Sequence, residues 1–275
     1  MAHARHLKCR VRKDLWVRVP PAAQFMNIKL RKSVNKDFFK NWTQEMSYIL
    51  GYIVADGCIT VSKERPNRPF TFNITSVDKK HLYKIRKVLN SEHKISKKTG
   101  EEKDVAFQIQ IRNQIIAKDL MKLGIPPRKT SCLKSITVPE KYFSDFVRGF
   151  FDGDGTVYIY KVNRTAQIKA GFVSTSLSFF AAFNERLCKK LDIPIKSIHR
   201  TVDKQGKKRM VQLSTCLYID DCEKLANFMY SNNPSLCLSR KRKIFEKWKL
   251  IKRRNYIKQN YPSKIGWQLN QKVFT

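Results

Sequence analysis

The stretch "ILGYIVADG", residues 49–57, is an apolar run that stops at Asp-Gly, and the chain then continues in a strand-like alternation. The stretch "VRGFFDGDG", residues 147–155, does the same, so that Asp154 follows Asp56 by 98 residues. Apolar residues three and four positions apart predict a helix over the first run, with Thr43 as its N-cap. The chain therefore places a carboxylate at the end of an apolar helix twice.

The segments around the two runs follow the same order, which predicts an internal duplication with a period of about 100 residues. In each half a helix is followed by two strands, a helix, a strand and a further helix. The predicted strands are "CITVS" (58–62), "FTFNITS" (70–76), "VAFQIQIR" (105–112), "TVYIY" (156–160), "IKAGFVSTS" (168–176) and "RMVQLST" (209–215). The predicted fold class is α+β, with two halves related by a pseudo-twofold axis.

The two predicted helices carry small residues along one face. Gly51 and Ala55 are four residues apart, as are Gly149 and Gly153, and positions i and i+4 share a side of a helix. Small side chains on that side let two backbones approach closely. Packing against a sheet would explain one such pair, whereas two pairs, each followed by Asp-Gly, favour a helix–helix seam.

A seam of this kind brings Asp56 and Asp154 together at the carboxyl ends of the helices, where the helix dipole is negative. Two carboxylates there repel each other unless a cation lies between them or one is protonated. Mg²⁺ binds through one or two carboxylates together with phosphate oxygens and water, and paired cations support phosphodiester hydrolysis. The pattern predicts a divalent-metal site shared by the two halves.

The charge of the chain indicates a polyanionic partner. Among 275 residues there are 56 Lys+Arg and 22 Asp+Glu, a formal net charge of +34, and nucleic acid is the commonest partner of such proteins. The charge is spread along the chain rather than along one amphipathic helix, and no apolar run approaches the ~20 residues of a membrane span. Seven irregularly spaced cysteines without a Cys-x-x-Cys pair favour reduced thiols in an intracellular protein over disulfides or structural zinc.

The two runs resemble two copies of the LAGLIDADG motif of homing endonucleases. The chain is also similar to that family over "LGIPPRKTSCLKSITVPEKYFSDFVRGFFDGDG" (123–155) and over the basic "SLCLSRKRKIFEKW" (235–248), and the resemblance covers roughly residues 44–250. It implies the family's monomeric two-motif fold. In that fold, duplicated αββαββα halves carry antiparallel saddle-shaped sheets, and the two motif helices pack at the centre.

Four regions are expected on this basis. Residues 1–43 form a basic N-terminal extension with little core of its own, 44–138 the first half, 139–258 the second half with a basic C-terminal helix, and 259–275 a tail. The extension is rich in Arg and Lys and poor in acids. A DNA-contacting arm and an organelle transit peptide would both have this composition, so both interpretations stay open.

The resemblance implies roles for the motif residues. The last acid of each motif, Asp56 and Asp154, would bind the catalytic metal, with two or three divalent ions, Mg²⁺, shared between the halves. The carbonyl groups of Ala55 and Gly153 would face these ions. The other acid of the second motif, Asp152, has a valine as its counterpart and is expected to be structural.

The resemblance also implies a basic residue near each acid, and the matching stretches offer Lys129 in "PPRKT" and Lys241 in "SRKRK". These lysines would order water and the scissile phosphate. Ser76 and Ser176, at the ends of the second strands, occupy the family's water-positioning place. A direct role is not expected for them, because some family members carry Gln there.

Alternation along the strands predicts one face toward the core and one face outward. Ile59 and Val61 are expected to point inward. The outward set is polar or aromatic and consists of Cys58, Thr60, Ser62, Asn73, Gln108, Gln110, Arg112, Thr156, Tyr158, Tyr160, Lys169 and Gln212. Such side chains reach base edges in a DNA major groove, although a solvated sheet face would show the same alternation.

The resemblance implies a monomeric, Mg²⁺-dependent endonuclease that cuts both strands of double-stranded DNA at a long asymmetric site and spreads the intron that encodes it. Two alternatives use the same fold: a maturase acting on its own intron RNA, and a DNA-binding regulator. Retention of both motif acids favours cleavage. An intein is not expected, because the terminal segments lack the Cys or His-Asn of protein splicing. The expected location is a prokaryote or phage cytoplasm or an organelle, without membrane association.

Overall fold

The computed structural model divides the chain into two units, Met1–Ser33 and Val34–Thr275. In the first unit two short antiparallel strands, β1 (Cys9–Arg10) and β2 (Trp16–Val17), are described, with Cys9 opposite Val17. The other described residues are 32–61, 70–98, 105–127, 129, 132–163, 165–205 and 208–260. Most of the predicted N-terminal extension, the predicted outward residue Ser62 and residues 261–275 lie outside this described part.

The first half of the second unit has the order helix, two strands, helix, two strands, helix. Its elements are α1 (Gln44–Asp56), β3 (Gly57–Thr60), β4 (Thr71–Ser76), α2 (Lys79–Val88), β5 (Ile95–Lys98), β6 (Ala106–Arg112) and α3 (Gln114–Lys122). The Thr43 hydroxyl accepts a hydrogen bond from the Met46 N–H at 3.0 Å and begins α1 as predicted. Gly124, with φ of +94°, follows the end of α3. The strands form an antiparallel sheet in the order β3-β4-β6-β5.

The second half repeats this order. Its elements are α4 (Phe143–Asp154), β7 (Gly155–Val162), β8 (Thr165–Ser174), α5 (Leu177–Leu191), β9 (His199–Gln205), β10 (Lys208–Tyr218) and α6 (Ile219–Tyr230). The sheet order is β7-β8-β10-β9, and a final helix, α7 (Ser239–Asn260), follows. The pairing of Gly57 with Ile74 recurs as the pairing of Gly155 with Phe172. The predicted α+β fold with duplicated αββαββα halves is therefore confirmed.

Helices α1 and α4 pack against each other with their backbones in contact. A Cβ atom built on Gly51 would overlap the Phe146 carbonyl oxygen, and one built on Gly149 would overlap the Tyr48 carbonyl oxygen. Only glycine leaves room for this approach. The small residues of the two motifs thus lie in a helix–helix seam, in which α1 contacts the first sheet and α4 contacts the second sheet.

The compact unit begins at Val34 rather than at Thr43. Phe39 is only 3% exposed, Phe38 and Trp42 pack against the core, and the Asn35 N–H donates to the Leu89 carbonyl oxygen at 3.1 Å. The expectation that the segment up to residue 43 has little core of its own is wrong for residues 34–43. The aromatic residues there are interspersed with lysines, which hid their contribution to the core.

Two further strand predictions need correction. Val61 was expected to point inward, but it is 45% exposed because β3 ends at Thr60. The residue pattern did not locate the strands β5 and β9, although the implied αββαββα order includes them and each completes a four-stranded sheet. No helix in the described part of the chain is long and apolar enough to cross a membrane.

Candidate functional site

The carboxyl ends of α1 and α4 meet at the end of the seam. Asp56 and Asp154 are the last residues of these helices. A Cβ built on Gly153 would overlap the Cβ of Ala55 and would lie 3.5 Å from Asp56 Oδ2. The helix ends are therefore close enough for the two acids to share one site, as the spacing of the small residues predicts.

The two acids influence each other electrostatically. Burial raises the pKa of Asp56 above its ordinary value, while Lys241 and Lys129 oppose the rise. Burial, followed by repulsion from Asp56, raises the pKa of Asp154 to about 6. In the absence of a cation the pair thus resists carrying two negative charges.

One lysine binds the carboxyl end of each motif helix. Lys129 Nζ donates hydrogen bonds to the carbonyl oxygens of Val54 and, at 2.9 Å, Ala55. Lys241 Nζ donates to the Asp152 carbonyl oxygen at 2.9 Å and to three neighbouring carbonyl groups. The last carbonyl groups of a helix lack intrahelical partners and favour a cation. The two lysines therefore satisfy equivalent groups in the two halves and balance the two carboxylates.

Burial removes part of the water around both lysines, more completely for Lys241 than for Lys129. Burial lowers the pKa of Lys129, although Asp154 and Asp56 oppose the change. Burial lowers the pKa of Lys241 to about 8, and Lys241 is only 4% exposed. The hydrogen bonds to carbonyl oxygens favour the charged form of each lysine.

The two serines are engaged within the protein. Ser76 Oγ accepts hydrogen bonds from the Tyr52 hydroxyl at 2.9 Å and from the Asp78 N–H at 3.1 Å. Ser176 Oγ donates to the Leu133 carbonyl oxygen. Both residues are buried, and the expectation that neither serine acts directly stays a prediction.

A cavity of about 200 Å³ adjoins the second acid. Its lining includes Asp154, Lys129, Ser176 and Gln212. A cavity of this size with several polar groups accommodates ordered water, so the acid and the lysine have access to water.

The cross-strand register places the predicted outward residues on one face of each sheet. In the first sheet Cys58 lies opposite Asn73, which lies opposite Gln110, while in the second sheet Tyr158 lies opposite Lys169. Paired residues share a face. With the exception of Ser62, the outward set lies on these two faces, which we call the open faces: Cys58, Thr60, Asn73, Gln108, Gln110, Arg112, Thr156, Tyr158, Tyr160, Lys169 and Gln212.

The register adds open-face residues that the sequence did not reveal. Ser96 pairs with Gln108 in β5, Thr201 pairs with Gln212 in β9, and Tyr218 pairs with Lys169. Lys169 Nζ lies 5.3 Å from the centre of the Tyr218 ring. The edge strands were missed because they lack an apolar alternation, and only their pairing with a recognised neighbour identifies their open face.

The donor set at the helix ends suits a hard cation. In the described part of the chain no cluster of three or more His, Cys, Asp or Glu residues could hold a metal, so the chain itself supplies two carboxylates and nearby carbonyl groups. Mg²⁺ and Ca²⁺ take oxygen ligands and accept phosphate oxygens and water in the remaining positions. Zinc would need more nitrogen or sulfur ligands.

Comparisons with known proteins agree with this architecture. Residues 43–123 match the family model of the LAGLIDADG-like domain. The structure is similar to the LAGLIDADG homing endonuclease I-GzeII in complex with its DNA target, with 12% identity, a TM-score of 0.51, and coverage of 86% of this chain and 95% of that one. It is also similar to I-SmaMI bound to an uncleaved DNA target in the presence of calcium ions, with 13% identity, a TM-score of 0.50, and coverage of 83% and 96%.

No curated protein matches the sequence. The structural matches nevertheless extend over both halves of the chain. The protein therefore has the LAGLIDADG homing endonuclease fold with both halves in a single chain.

The raised pKa of Asp154 makes a prediction for the metal-free protein. Its folded-state pKa of about 6 lies above the ordinary value of 3.8, so the folded state binds the proton more tightly. Its contribution to stability is fully present below pH 3.8 and is lost as the pH rises through 6. Asp154→Asn should therefore raise the melting temperature in EDTA at pH 7, and the gain should vanish toward pH 4.

Glu140→Gln provides a control, because the pKa of Glu140 is shifted in the opposite direction to that of Asp154. Hydrogen bonding to Lys190 lowers the pKa of Glu140. Its melting temperature in EDTA should not rise above that of the parent at pH 7. An Asp154→Asn gain that is independent of pH would contradict the assigned electrostatics.

Proposed function

We propose that this protein is a site-specific DNA endonuclease that hydrolyses phosphodiester bonds with divalent cations. One observation carries the proposal: two acids lie together at the carboxyl ends of two packed helices, and a lysine binds each of those ends. Carboxylates at the negative ends of the helix dipoles are unfavourable, so a purely structural helix pair gains no stability from them. Perturbed, partly buried acids and lysines beside a cavity are typical of catalytic groups.

The open faces support DNA as the substrate. Side chains such as Gln110, Arg112 and Lys169 can bond base edges, and a two-stranded ribbon enters the B-form major groove. The major groove of A-form RNA is too narrow for side chains to read, so we propose duplex DNA rather than intron RNA. The similar structures I-GzeII and I-SmaMI are described with DNA targets, which agrees with this choice.

The two acids and the two lysines would have different roles. Asp56 and Asp154 would hold the cations, and Lys129 and Lys241 would keep the helix ends neutral and orient the phosphate and water. Bound divalent cations would polarise the scissile phosphate and lower the pKa of the attacking water. Because both acids belong to one chain, a monomer would suffice.

Retention of both acids and both lysines supports cleavage over a purely regulatory DNA-binding role. A regulator would gain affinity by replacing acids that face phosphates, because each negative charge there opposes binding. The alternative function as a regulator predicts binding without cleavage, and the alternative as a maturase predicts preference for RNA.

A library experiment tests the proposal. The purified protein is incubated with MgCl₂ and a plasmid library that contains a randomised segment, and cut ends are captured and sequenced. We expect one long asymmetric sequence to be enriched among the cut ends, and EDTA to abolish its cutting. Binding of the library without any cutting in Mg²⁺, Mn²⁺ or Ca²⁺ would contradict the proposed function.

A further inference from the structure

A buried polar network connects the two halves next to the candidate site. The Tyr48 hydroxyl donates to Asp152 Oδ2 at 2.7 Å, and the Leu238 N–H donates to the same oxygen at 2.7 Å. The Tyr48 oxygen in turn lies 2.9 Å from His81 Nε2, which must be the donor because the tyrosine proton is used on the carboxylate. All four residues are at most 3% exposed. Most polar groups buried at such depth are hydrogen-bonded.

This network ends at the helix that carries Lys241. Leu238 directly precedes α7, and its carbonyl oxygen accepts the Lys241 N–H at 3.0 Å. The Lys241 ammonium group in turn donates a hydrogen bond to the Asp152 carbonyl oxygen at 2.9 Å. Asp152 therefore holds Lys241 at two points: its side chain fixes the start of α7, and its main chain binds the ammonium group.

Among the described residues, the first half has no equivalent of this network. The duplication relates positions that are 98 residues apart. By this offset Tyr48 corresponds to Phe146, and Asp152 corresponds to Val54. Neither can form these hydrogen bonds. Lys129 instead lies in a turn, where its carbonyl oxygen accepts the N–H groups of residues 132 and 133. The two lysines thus have matching contacts with the helix ends but different supports.

We infer that Tyr48 and Asp152 are positioning residues that hold Lys241 in place for one of the two strand cuts. The inference rests on the proposed function. Each lysine binds one helix end, so loosening Lys241 should disturb the phosphate served by the second half and spare the other. A displacement of about 1 Å in a positioned group can cost up to about a hundredfold in rate.

A strand-specific nicking assay tests the inference in the full-length protein. A supercoiled plasmid carries the site selected from the randomised library, and each strand is labelled separately. Tyr48→Phe should slow one strand by about ten- to a hundredfold and leave the other within about twofold, so that nicked circles accumulate. Equal slowing of both strands, or of neither, would overturn the inference.

Tyr230→Phe is the matched control. The Tyr230 hydroxyl is buried on α6 and has no hydrogen-bond partner among the described residues, so its removal breaks no bond. This variant should cut both strands as the parent does. If it also produced strand-biased nicking, the effect of Tyr48→Phe would reflect general loosening of the second half, and the inference would fail.

Substitutions of Asp152 separate positioning from metal binding. Asp152→Asn keeps an oxygen for Tyr48 and Leu238, and its amide group can take the place of Oδ1, which has no partner among the described residues. We expect Asp152→Asn to stay within about threefold of the parent on both strands, while Asp152→Ala behaves like Tyr48→Phe. An Asp152→Asn variant as inactive as Asp154→Asn would show that the charge itself is needed and would overturn the inference.

A readout without cleavage separates the failure of this inference from failure of the proposed function. Acetic anhydride modifies accessible amines, and mass spectrometry quantifies the modification of Lys241 and Lys129 in one sample. In Tyr48→Phe and Asp152→Ala, Lys241 should react about tenfold faster than in the parent, whereas Lys129 should be unchanged. Unchanged Lys241 reactivity in both folded variants would overturn the inference, even if the parent cut no DNA.

Discussion

Asp56→Asn and Asp154→Asn should each abolish cleavage and leave DNA binding intact. Asn keeps the shape of the side chain but removes the negative charge that holds a divalent cation. We expect the cutting rate to fall by about a thousandfold or more, since the scissile phosphate loses its electrostatic stabilisation. Affinity for the selected duplex should stay equal or improve, because a charge that repels phosphates is gone. Cutting rates and mobility-shift assays in MgCl₂ measure the two effects.

Asp119→Asn serves as the control for these variants. Asp119 is a buried acid on α3, only 9% exposed, with Lys122 3.8 Å away, and it lies outside the candidate site. Its substitution should leave the cutting rate unchanged. Parental cutting by either Asp56→Asn or Asp154→Asn would refute the assignment of these acids to one catalytic site.

The second large effect concerns the seam. Gly149→Ala places a Cβ on the Tyr48 carbonyl oxygen, and Gly51→Ala places one on the Phe146 carbonyl oxygen. Backbone atoms cannot move aside as a side chain can, so α1 and α4 must separate. We expect each substitution to cost about 3 kcal/mol or more of unfolding free energy and to lower the melting temperature by roughly 10 °C.

Lys84→Ala, on the exposed side of α2, tests whether these losses are specific to the seam. It should change the unfolding free energy by less than about 0.5 kcal/mol. Thermal and urea unfolding measure all three variants. If Gly149→Ala unfolded at the parental temperature and urea concentration, the close approach of the two helices would be wrong.

The duplicated core was predictable because its signals are local and occur twice. Helix boundaries are specified by adjacent residues. Examples are the apolar spacing before Asp56 and Asp154, the Thr43 cap and the glycine after α3. The alternation in "VAFQIQIR" identifies the core face of β6 without tertiary information. These features depend on short-range periodicity, which one sequence contains in full.

Edge strands and the start of the compact unit were less predictable. Strand β9 is polar in sequence apart from Val202, which is itself 52% exposed, and residues 199–202, the part of β9 with a described burial, are all exposed. Its strand conformation depends on hydrogen bonds to β10. Phe39 lies in the core, where it meets Phe72 of a distant segment with ring centres 6.4 Å apart. Such contacts arise from tertiary pairing.

In the candidate site, too, some features were predictable from the sequence and others depend on tertiary contacts. The seam spacing indicated that the acids meet, and Lys129 and Lys241 were assigned through the family resemblance. Their hydrogen bonds to the helix ends give those lysines a physical reason to be there. The bond between Tyr48 and Asp152 joins residues 104 positions apart and had no signal in the sequence beyond an acid where the first motif has valine.

The most direct test of the shared site is a calorimetric Ca²⁺ titration of the protein bound to its selected duplex. Parent, Asp56→Asn, Asp154→Asn and the double variant are compared at the same DNA concentration. If one ion bridges both acids, either single substitution should weaken its binding as much as the double substitution does. Additive losses, with each single variant keeping the other acid's ion at parental affinity, would show two independent sites and contradict the account.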